Sequence, residues 1–200
     1  KNNKKLYLAR DAFGEKPLYF GWGKNIFYFA SELKALKKSI GFANDINKTA
    51  ISSLFELNYI ANPYSIYEGI FKLKPGELIE ILPGCQNNIQ ERSSFLKKSQ
   101  WFSMEKSIQN KQQTYTFIES KNLIQNVIES RLISDAKLGC FLSGGIDSSL
   151  IASIISKISK TKYETFTIGF KENEYDESKK AFKIADYLGL KNNTLILDEK

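Results

Sequence analysis

Apolar residues in the second half of the chain fall alternately into compact runs and into helical spacing. Residues 138–142, 163–170 and 195–197 form compact runs of the kind typical of buried strands. Two helices are predicted between them, one beginning near Asp147 and one at residues 181–188. The first is marked by apolar residues that recur on one helix face: Leu150, Ile151, Ile154, Ile155 and Ile158. This order predicts parallel strands with right-handed crossovers, as in a doubly wound α/β sheet.

The first half is a series of short apolar segments interrupted by turns. Strands are predicted at residues 5–9, 18–22, 26–30 and 77–82, the middle two as a hairpin. Helices are predicted at residues 32–37, capped by Ser31, and at residues 48–57, capped by Thr49. A further helix at residues 115–133 opens the second half. The strand pattern belongs to many β-rich folds and does not choose among them.

The two halves are separated by polar sequence. The domain boundary is predicted between Asn88 and Thr114, near residues 99–113, where turn and linker residues predominate. The first domain with its linker then covers residues 1–98, and the second covers residues 114–200.

Composition narrows the classes of protein to which the chain can belong. Over 200 residues, 42% hydrophobic and 13% aromatic residues are enough for one large or two small packed domains. The formal charge is +7, but the lysines are scattered among acids, so no nucleic-acid partner is predicted. No apolar run approaches the length of a membrane span, so no membrane partner is predicted either.

Two residue types limit the chemistry. Cys85 and Cys140 are the only cysteines, which is typical of a reducing cytoplasm and provides no disulfide or zinc framework. The sequence contains no histidine, so a mechanism that needs a histidine base is excluded within these residues. A cytoplasmic location is therefore predicted.

The candidate chemistry lies in residues 143–149, S-G-G-I-D-S-S, between a predicted strand and a predicted helix. Such a turn aims free backbone N–H groups and the positive end of the helix dipole at one point, which favours an anion. Gly144 and Gly145 allow a phosphate to approach the backbone closely. Hydroxyl donors are also predicted there: Ser143, Ser148 and Ser149.

Asp147 would repel a nucleotide if it stood alone. The helix dipole contributes only about 0.3 to 1 kcal/mol per charge at an exposed site, which is too little to hold a tetra-anionic nucleotide. A divalent cation between Asp147 and the phosphates resolves the conflict, so we predict Mg²⁺ with Asp147 as its ligand. The alternative is a Ser/Gly-rich turn with a capped helix, since Ser and Asp are common capping residues.

The same residues resemble the pyrophosphate-binding loop, S-G-G-x-D-S, of the ATP pyrophosphatase superfamily, whose members cleave ATP between the α and β phosphates. The loop is not a Walker A motif, because the G-K-[ST] lysine is missing. The resemblance implies ATP as a substrate and Mg²⁺ as a cofactor. GMP synthetase, NAD synthetase, argininosuccinate synthetase and tRNA-thiolating enzymes share S-G-G-x-D and are the competing members.

Residues 9–20 and 29–36, A-R-D-A-F-G-E-K-P-L-Y-F and F-A-S-E-L-K-A-L, resemble the closing part of the glutaminase domain of glutamine-dependent asparagine synthetases. That domain is of the class-II amidotransferase (N-terminal nucleophile) type, an αββα sandwich in which an N-terminal cysteine releases ammonia from glutamine. The family's nucleophile and glutamine-binding residues would lie upstream of Lys1, so no catalytic residue is predicted in this chain. Cys85 and Cys140 are not substitutes, because neither has a base nearby in sequence.

Further segments resemble the same family in the same order. Residues 59–77 resemble the segment, ending in K-L-x-P-G, that joins its two domains. Residues 131–139 resemble its run R-L-x-S-D-V-P-L-G, although Ala136 and Lys137 replace the Val-Pro pair.

The remaining resemblance concerns the nucleotide. Residues 165–170 and 175–178 resemble the synthetases, in which backbone groups equivalent to Leu142 and Ile168 hold the adenine. Core packing is the alternative for Ile168. The family's histidine pair is replaced by Asn at residues 192–193, so any role of that pair is lost or altered.

Together the resemblances imply an ATP-dependent ligase that amidates aspartate with ammonia from glutamine. Aspartate, glutamine and ATP are the implied partners, and a homodimer is one assembly open to the chain. Alternatives are a β-lactam synthetase or another amidotransferase acting on a different carboxylate, or a truncated, non-catalytic nucleotide-binding remnant. Both ends of the sequence look cut, so the aspartate pocket is expected outside it.

Overall fold

The computed structural model describes residues 5–82, 92–109, 114–159, 163–171 and 176–198. The chain divides into two compact units, Lys1–Gln112 and Gln113–Lys200. Among the residues described, no helix combines the length and apolar character needed to cross a membrane.

The first unit contains two three-stranded antiparallel sheets. Its strands are β1 (Leu6–Ala9), β2 (Tyr19–Trp22), β3 (Phe27–Ala30), β4 (Ile70–Lys72), β5 (Glu77–Ile81) and β6 (Leu96–Gln100). One sheet has the order β1-β5-β6 and the other has the order β3-β2-β4. The predicted hairpin is confirmed, since β2 pairs with β3 from Tyr19 opposite Ala30 to Trp22 opposite Phe27.

Alternate residues of a strand point to the same side of its sheet. In the first unit, the side chains on the facing sides of the two sheets meet in one hydrophobic core. Buried side chains from both sheets meet there: Leu8, Phe20, Trp22, Leu73, Ile79 and Ile81. The rings of Trp22 and Phe27 add an edge-to-face contact with centroids 4.7 Å apart. The first unit is therefore built on antiparallel strands around a common core.

Two short helices of this unit begin differently from the prediction. Helix α1 spans Leu33–Lys37 with Glu32 at the N-cap and no side-chain cap, so the predicted cap at Ser31 is wrong. Helix α2 spans Lys48–Leu57, and its cap is Asn47 rather than Thr49. The Asn47 side chain accepts a hydrogen bond from the Ala50 N–H at 3.0 Å, whereas Thr49 already lies inside the helix.

Within the described part of the chain, two strands and one α-helix occur where none is predicted, namely β4, β6 and helix α3 (Met104–Gln109), and a 3₁₀ turn at Arg92–Phe95 precedes β6. Strand β6 carries Lys97, Lys98 and Ser99 on an exposed edge, so it lacks the alternation of apolar residues that marks a half-buried strand. It forms by backbone pairing with β5, from Ile81 opposite Leu96 onward. Edge strands of this composition are poorly visible to pattern-based prediction.

The second unit is a three-stranded parallel sheet with helices. Its elements are α4 (Phe117–Ser130), β7 (Gly139–Phe141), α5 (Ile146–Ile158), β8 (Glu164–Phe170), α6 (Ser178–Tyr187) and β9 (Lys191–Leu197). Strand β8 lies between β7 and β9, and both pairs are parallel, as predicted. β9 begins earlier than the predicted residues 195–197, because its polar first half, residues 191–194, also pairs with β8.

The described helices α5 and α6 cover one face of this sheet. They pack through small buried residues, which are Ala152, Ala181 and Ala185 together with Leu142 of the loop. On β8, Thr165 and Thr167 point into this covered face, whereas Phe166, Ile168 and Phe170 on the other face remain 42%, 51% and 39% exposed. A doubly wound sheet has helices on both faces. The doubly wound arrangement of this sheet therefore remains a prediction.

Arg10 ties the turn after β1 to the segment after β4. Its guanidinium donates to the backbone oxygens of Lys16 at 2.8 Å, Gly14 at 2.6 Å and Leu73 at 2.7 Å. The residue is only 9% exposed. Buried carbonyls that lose their donors cost about 1 to 3 kcal/mol each, so Arg10 holds three separate points of the chain together.

Arg10→Met is therefore expected to destabilise the first unit by about 2 to 4 kcal/mol, because the apolar chain remains while three carbonyls lose their donor. Urea unfolding followed by tryptophan fluorescence measures the change. Lys34→Met is the matched control, since it removes only the exposed ion pair with Glu32. Equal unfolding midpoints for the two variants would contradict the role of Arg10.

Candidate functional site

The loop at residues 143–149 lies at the carboxyl end of β7 and leads directly into α5. Gly145 is the N-cap residue, with φ −75° and ψ 166°, and no side chain caps the helix. The N–H groups of the first turn have no carbonyl partner within the helix. Together with the dipole of a 13-residue helix, they give this end of α5 a positive character that favours an anion.

Gly144 brings the loop against the first turn of α6. Its φ of +82° lies in the left-handed region, which favours glycine. A Cβ atom at this position would lie 2.9 Å from the Cβ of Lys180 and 3.1 Å from the backbone nitrogen of Ala181. Only glycine therefore permits this approach. At Gly145, by contrast, the nearest atom to a Cβ is the Ser143 Oγ at 3.4 Å.

The serine hydroxyls close the loop on itself. The Ser143 N–H donates to the Ser148 Oγ at 3.3 Å, and the two hydroxyl oxygens lie 3.1 Å apart. The Ser149 hydroxyl donates to the Gly145 carbonyl at 2.6 Å. Because a serine hydroxyl rotates and both donates and accepts, these groups can redirect a proton toward a bound anion without moving the backbone.

An open cleft of about 340 Å³ adjoins the loop on the uncovered face of the sheet. Its lining residues are Phe141, Leu142, Ser143, Ser148, Phe166, Ile168, Phe170 and Glu177. Four of the predicted site residues are among them: Leu142, Ser143, Ser148 and Ile168. The other four follow on the loop and in the first turn of α5: Gly144, Gly145, Asp147 and Ser149. An apolar wall beside a polar end suits a flat ring that carries an anionic group.

Charges of both signs surround the loop. Asp147 is exposed in the first turn of α5. The first turn of α6 carries Lys179 and Lys180 and no acid, although cations are unfavourable at a helix N-terminus. Hydrogen bonds from the side chain and backbone of Ser178 lower the pKa of Asp176, which keeps that carboxyl ionised. Lys179 lowers the pKa of Asp176 further, so charges of both signs lie at this end of α6.

The donor set suits Mg²⁺ as an ion shared with a substrate. Across the described ranges, no group of three or more His, Cys, Asp or Glu side chains could hold a metal ion. Magnesium in nucleotide sites is commonly held by one or two carboxylates, substrate phosphates and water. Exposed Asp147 provides one such carboxylate, so it fits the shared arrangement and not a cage made of protein ligands.

Cys140 lies half-buried in β7, and burial raises the pKa of its thiol. A thiol that is mostly protonated at neutral pH is a poor nucleophile. That Cys140 does not replace the glutaminase cysteine stays a prediction. Cys85 lies outside the described residues.

Some residues at the cleft are not among the site residues that the sequence predicts. Phe166 and Phe170 line the cleft beside Ile168 because every second residue of β8 faces the same side, and that alternation is a signal already visible in the sequence. Thr167 is different. Its hydroxyl donates to the Leu142 carbonyl at 2.8 Å, a contact that depends on the pairing of two strands and leaves no local sequence signal.

Two family models match the chain, one in its first half and the other in its second half. The glutamine amidotransferase domain matches residues 1–92, and asparagine synthase matches residues 119–200. The chain thus joins an amidotransferase segment to a synthase segment, and these segments lie in the first and second structural units. Its class is that of amidotransferase-linked synthases.

Named relatives narrow the class. A Methanocaldococcus jannaschii protein, provisionally named asparagine synthetase [glutamine-hydrolyzing] 2, is 32% identical over 200 residues, covering 98% of this chain and 37% of the relative. Asparagine synthetase [glutamine-hydrolyzing] 1 of Bacillus subtilis is 31% identical over 199 residues, covering 98% of this chain and 29% of the relative. The chain belongs to the family of glutamine-hydrolysing asparagine synthetases, and it spans 29 to 37% of the length of these two relatives.

The Cys140 thiol is expected to react with iodoacetamide several-fold more slowly than an unfolded control at pH 7.5, because burial disfavours the thiolate. The rate should keep rising with pH above the ordinary thiol pKa, since the folded pKa is the higher one. Peptide mass spectrometry on the intact protein, with and without urea, measures the labelling of Cys140. Equal rates in the folded and unfolded protein would show that the thiol is not protected.

Proposed function

We propose that the protein to which this chain belongs synthesises asparagine from aspartate, with ATP as the energy source and glutamine as the source of ammonia. The aspartate side-chain carboxylate attacks the α phosphorus of ATP, which forms β-aspartyl-AMP and releases pyrophosphate. Ammonia then attacks the activated carbonyl carbon, AMP leaves, and asparagine forms. The family matches on both units support this proposal.

The observation that carries the proposal is the loop between β7 and α5. The first-turn N–H groups of α5 have no carbonyl partner within the helix, and Gly144 lies directly against the first turn of α6. In our proposal the β and γ phosphates bind there, with the hydroxyls of Ser143, Ser148 and Ser149 as additional donors. Negative charge that develops on the departing pyrophosphate then meets preorganised donors, and this lowers the barrier for the first step.

The adenine is proposed to lie in the cleft between Leu142 and Ile168. Pairing of β7 with β8 ends at Phe141 opposite Phe166, and the Leu142 N–H still donates to the Phe166 carbonyl at 2.9 Å. Alternate residues of a central parallel strand direct their peptide groups to opposite neighbours. Ile168 therefore directs its N–H and C=O toward the β7 side of the strand, at a level where β7 has already ended. A purine edge can bond these groups while Phe166 packs against its ring.

Asp147 is proposed to hold Mg²⁺ against the phosphates. When bound, the ion neutralises phosphate charge and so allows a carboxylate and a polyanion to lie at the same loop. Asp147 is suited to this role because it is exposed at the N-terminal end of α5.

The first unit is proposed to be part of the ammonia source. It matches the glutamine amidotransferase domain, and each of the three guanidinium nitrogens of Arg10 donates to a backbone carbonyl. In our proposal Arg10 therefore acts as a structural residue.

Asp147→Ala in the whole protein is expected to reduce aspartate-dependent pyrophosphate release at least about a hundredfold while glutaminase activity stays within a few-fold, because only the synthetase half loses its metal ligand. Coupled assays of pyrophosphate and of glutamate from glutamine measure the two activities. Asp186→Ala, which removes an exposed carboxylate near the end of α6, is the control. Synthesis that persists in Asp147→Ala would contradict the metal role.

Gly144→Ala is expected to weaken ATP binding at least about tenfold, because the added Cβ would push α6 away from the loop. Calorimetric titration of the whole protein with ATP and Mg²⁺ measures the affinity. Gly189→Ala is the matched control, since Gly189 has a similar φ of +66° but no atom within 4 Å of an added Cβ. If both variants bind ATP like the parent protein, the proposed cradle is wrong.

A further inference from the structure

Thr167 connects the buried face of β8 to the start of the loop. The residue is 4% exposed, and its hydroxyl donates to the Leu142 carbonyl oxygen at 2.8 Å. Leu142 is itself 1% exposed and is the last residue before the S-G-G motif. A buried side chain of β8 therefore bonds the peptide group at which the loop begins.

The bonded carbonyl belongs to the same peptide group as the first N–H of the loop. The Leu142 carbonyl and the Ser143 N–H lie in one plane and point in opposite directions, because the peptide bond is planar and trans. A hydroxyl that holds the carbonyl on one side therefore sets the direction of the Ser143 N–H on the other. That N–H is aimed into the loop, where the Ser148 Oγ accepts it at 3.3 Å.

A second acceptor competes for the Thr167 proton. The Asn192 Oδ1 lies 3.1 Å from the Thr167 Oγ1, and this oxygen already accepts the Thr165 hydroxyl at 2.8 Å. A hydroxyl carries one proton, and the shorter contact leads to the Leu142 carbonyl. Thr167 therefore donates to the loop, while Asn192 serves mainly Thr165.

The geometry points to Thr167 as a positioning residue of the anion cradle: its hydroxyl fixes the Leu142–Ser143 peptide so that the Ser143 N–H faces the terminal phosphates of the nucleotide. This inference rests on the proposed function of the loop and adds a residue outside the S-G-G-x-D-S motif to it. Thr167 touches no substrate. It acts only through the direction of one backbone donor.

Thr165 provides an internal control. It lies two residues earlier on the same buried face of β8, it is 0% exposed, and its hydroxyl bonds the same Asn192 oxygen. Its other acceptor is the Lys191 carbonyl at 3.3 Å, on β9 and away from the loop. Loss of either hydroxyl disturbs the same polar network, but only loss of the Thr167 hydroxyl releases the loop peptide.

The test compares Thr167→Val, Thr167→Ser and Thr165→Val in the whole protein. Calorimetry measures the dissociation constants of inorganic pyrophosphate with Mg²⁺ and of AMP, and urea unfolding measures stability. Thr167→Val is expected to weaken pyrophosphate binding about tenfold with AMP binding unchanged, because AMP lacks the β and γ phosphates and its base is proposed to bond Ile168 and not the Leu142–Ser143 peptide. Thr167→Ser should restore the affinity. Thr165→Val should lose stability to a similar extent and keep both affinities.

Two results would overturn the inference in different ways. In the first, all three proteins, the parent, Thr165→Val and Thr167→Val, bind pyrophosphate equally well. The positioning role of Thr167 is then wrong, but the proposed cradle stands. If the parent protein binds no pyrophosphate, the proposed function of the loop fails and the inference fails with it. Should Thr167→Val not fold, Thr167→Ala removes the donor without adding an apolar branch, and unchanged pyrophosphate affinity in that variant also contradicts the role.

Discussion

The close approach of Gly144 to the first turn of α6 is the constraint on which the rest of the second unit's site depends. Because no side chain separates them, the N-terminal ends of α5 and α6 converge on one loop. Neither helix end alone would hold a polyanion, since each contributes only about 0.3 to 1 kcal/mol per charge in solvent. The sheet makes the convergence possible, because parallel strands bring the loops at their carboxyl ends to the same edge. Small residues on the covered face, such as Ala152 and Ala181, then let the helices pack closely.

The site has two chemically different parts. One is the polar loop, in which serine hydroxyls and helix N–H groups act as donors. The other is the uncovered face of the sheet, where Phe166, Ile168 and Phe170 line an apolar cleft. A nucleotide has the same division between its base and its phosphates, and this likeness is why we propose ATP and not a simple anion as the ligand. In the first unit, three N–H groups of Arg10 bond backbone carbonyls and so serve the fold.

The sequence predicts most of the elements that bury an apolar face, although it misses β4 with its buried Ile70, and it misses the exposed β6 and α3. Parallel pairing of β7 and β8 follows from compact apolar runs, whereas edge strand β6 carries lysines and forms only through its partner's backbone. The motif residues at 143–149 are recognisable because chemistry restricts their types. Thr167 is not, since its role depends on which carbonyl lies opposite a buried hydroxyl. The prediction of the N-cap of α2 fails for a similar reason. Asn47 and Thr49 are both plausible caps in the sequence, and only the backbone geometry distinguishes them.

The central claim is that the backbone of the loop between β7 and α5 receives pyrophosphate. The most direct measurement is a titration of the whole protein, selectively labelled with ¹⁵N-glycine, with Mg²⁺ and inorganic pyrophosphate while the amide resonances are recorded. The Gly144 and Gly145 amides are expected to shift and saturate together, whereas the Gly189 amide, just past the end of α6, is expected to stay unchanged. Saturable binding that leaves the Gly144 and Gly145 amides unchanged would place pyrophosphate elsewhere, and the loop would then not be its binding site.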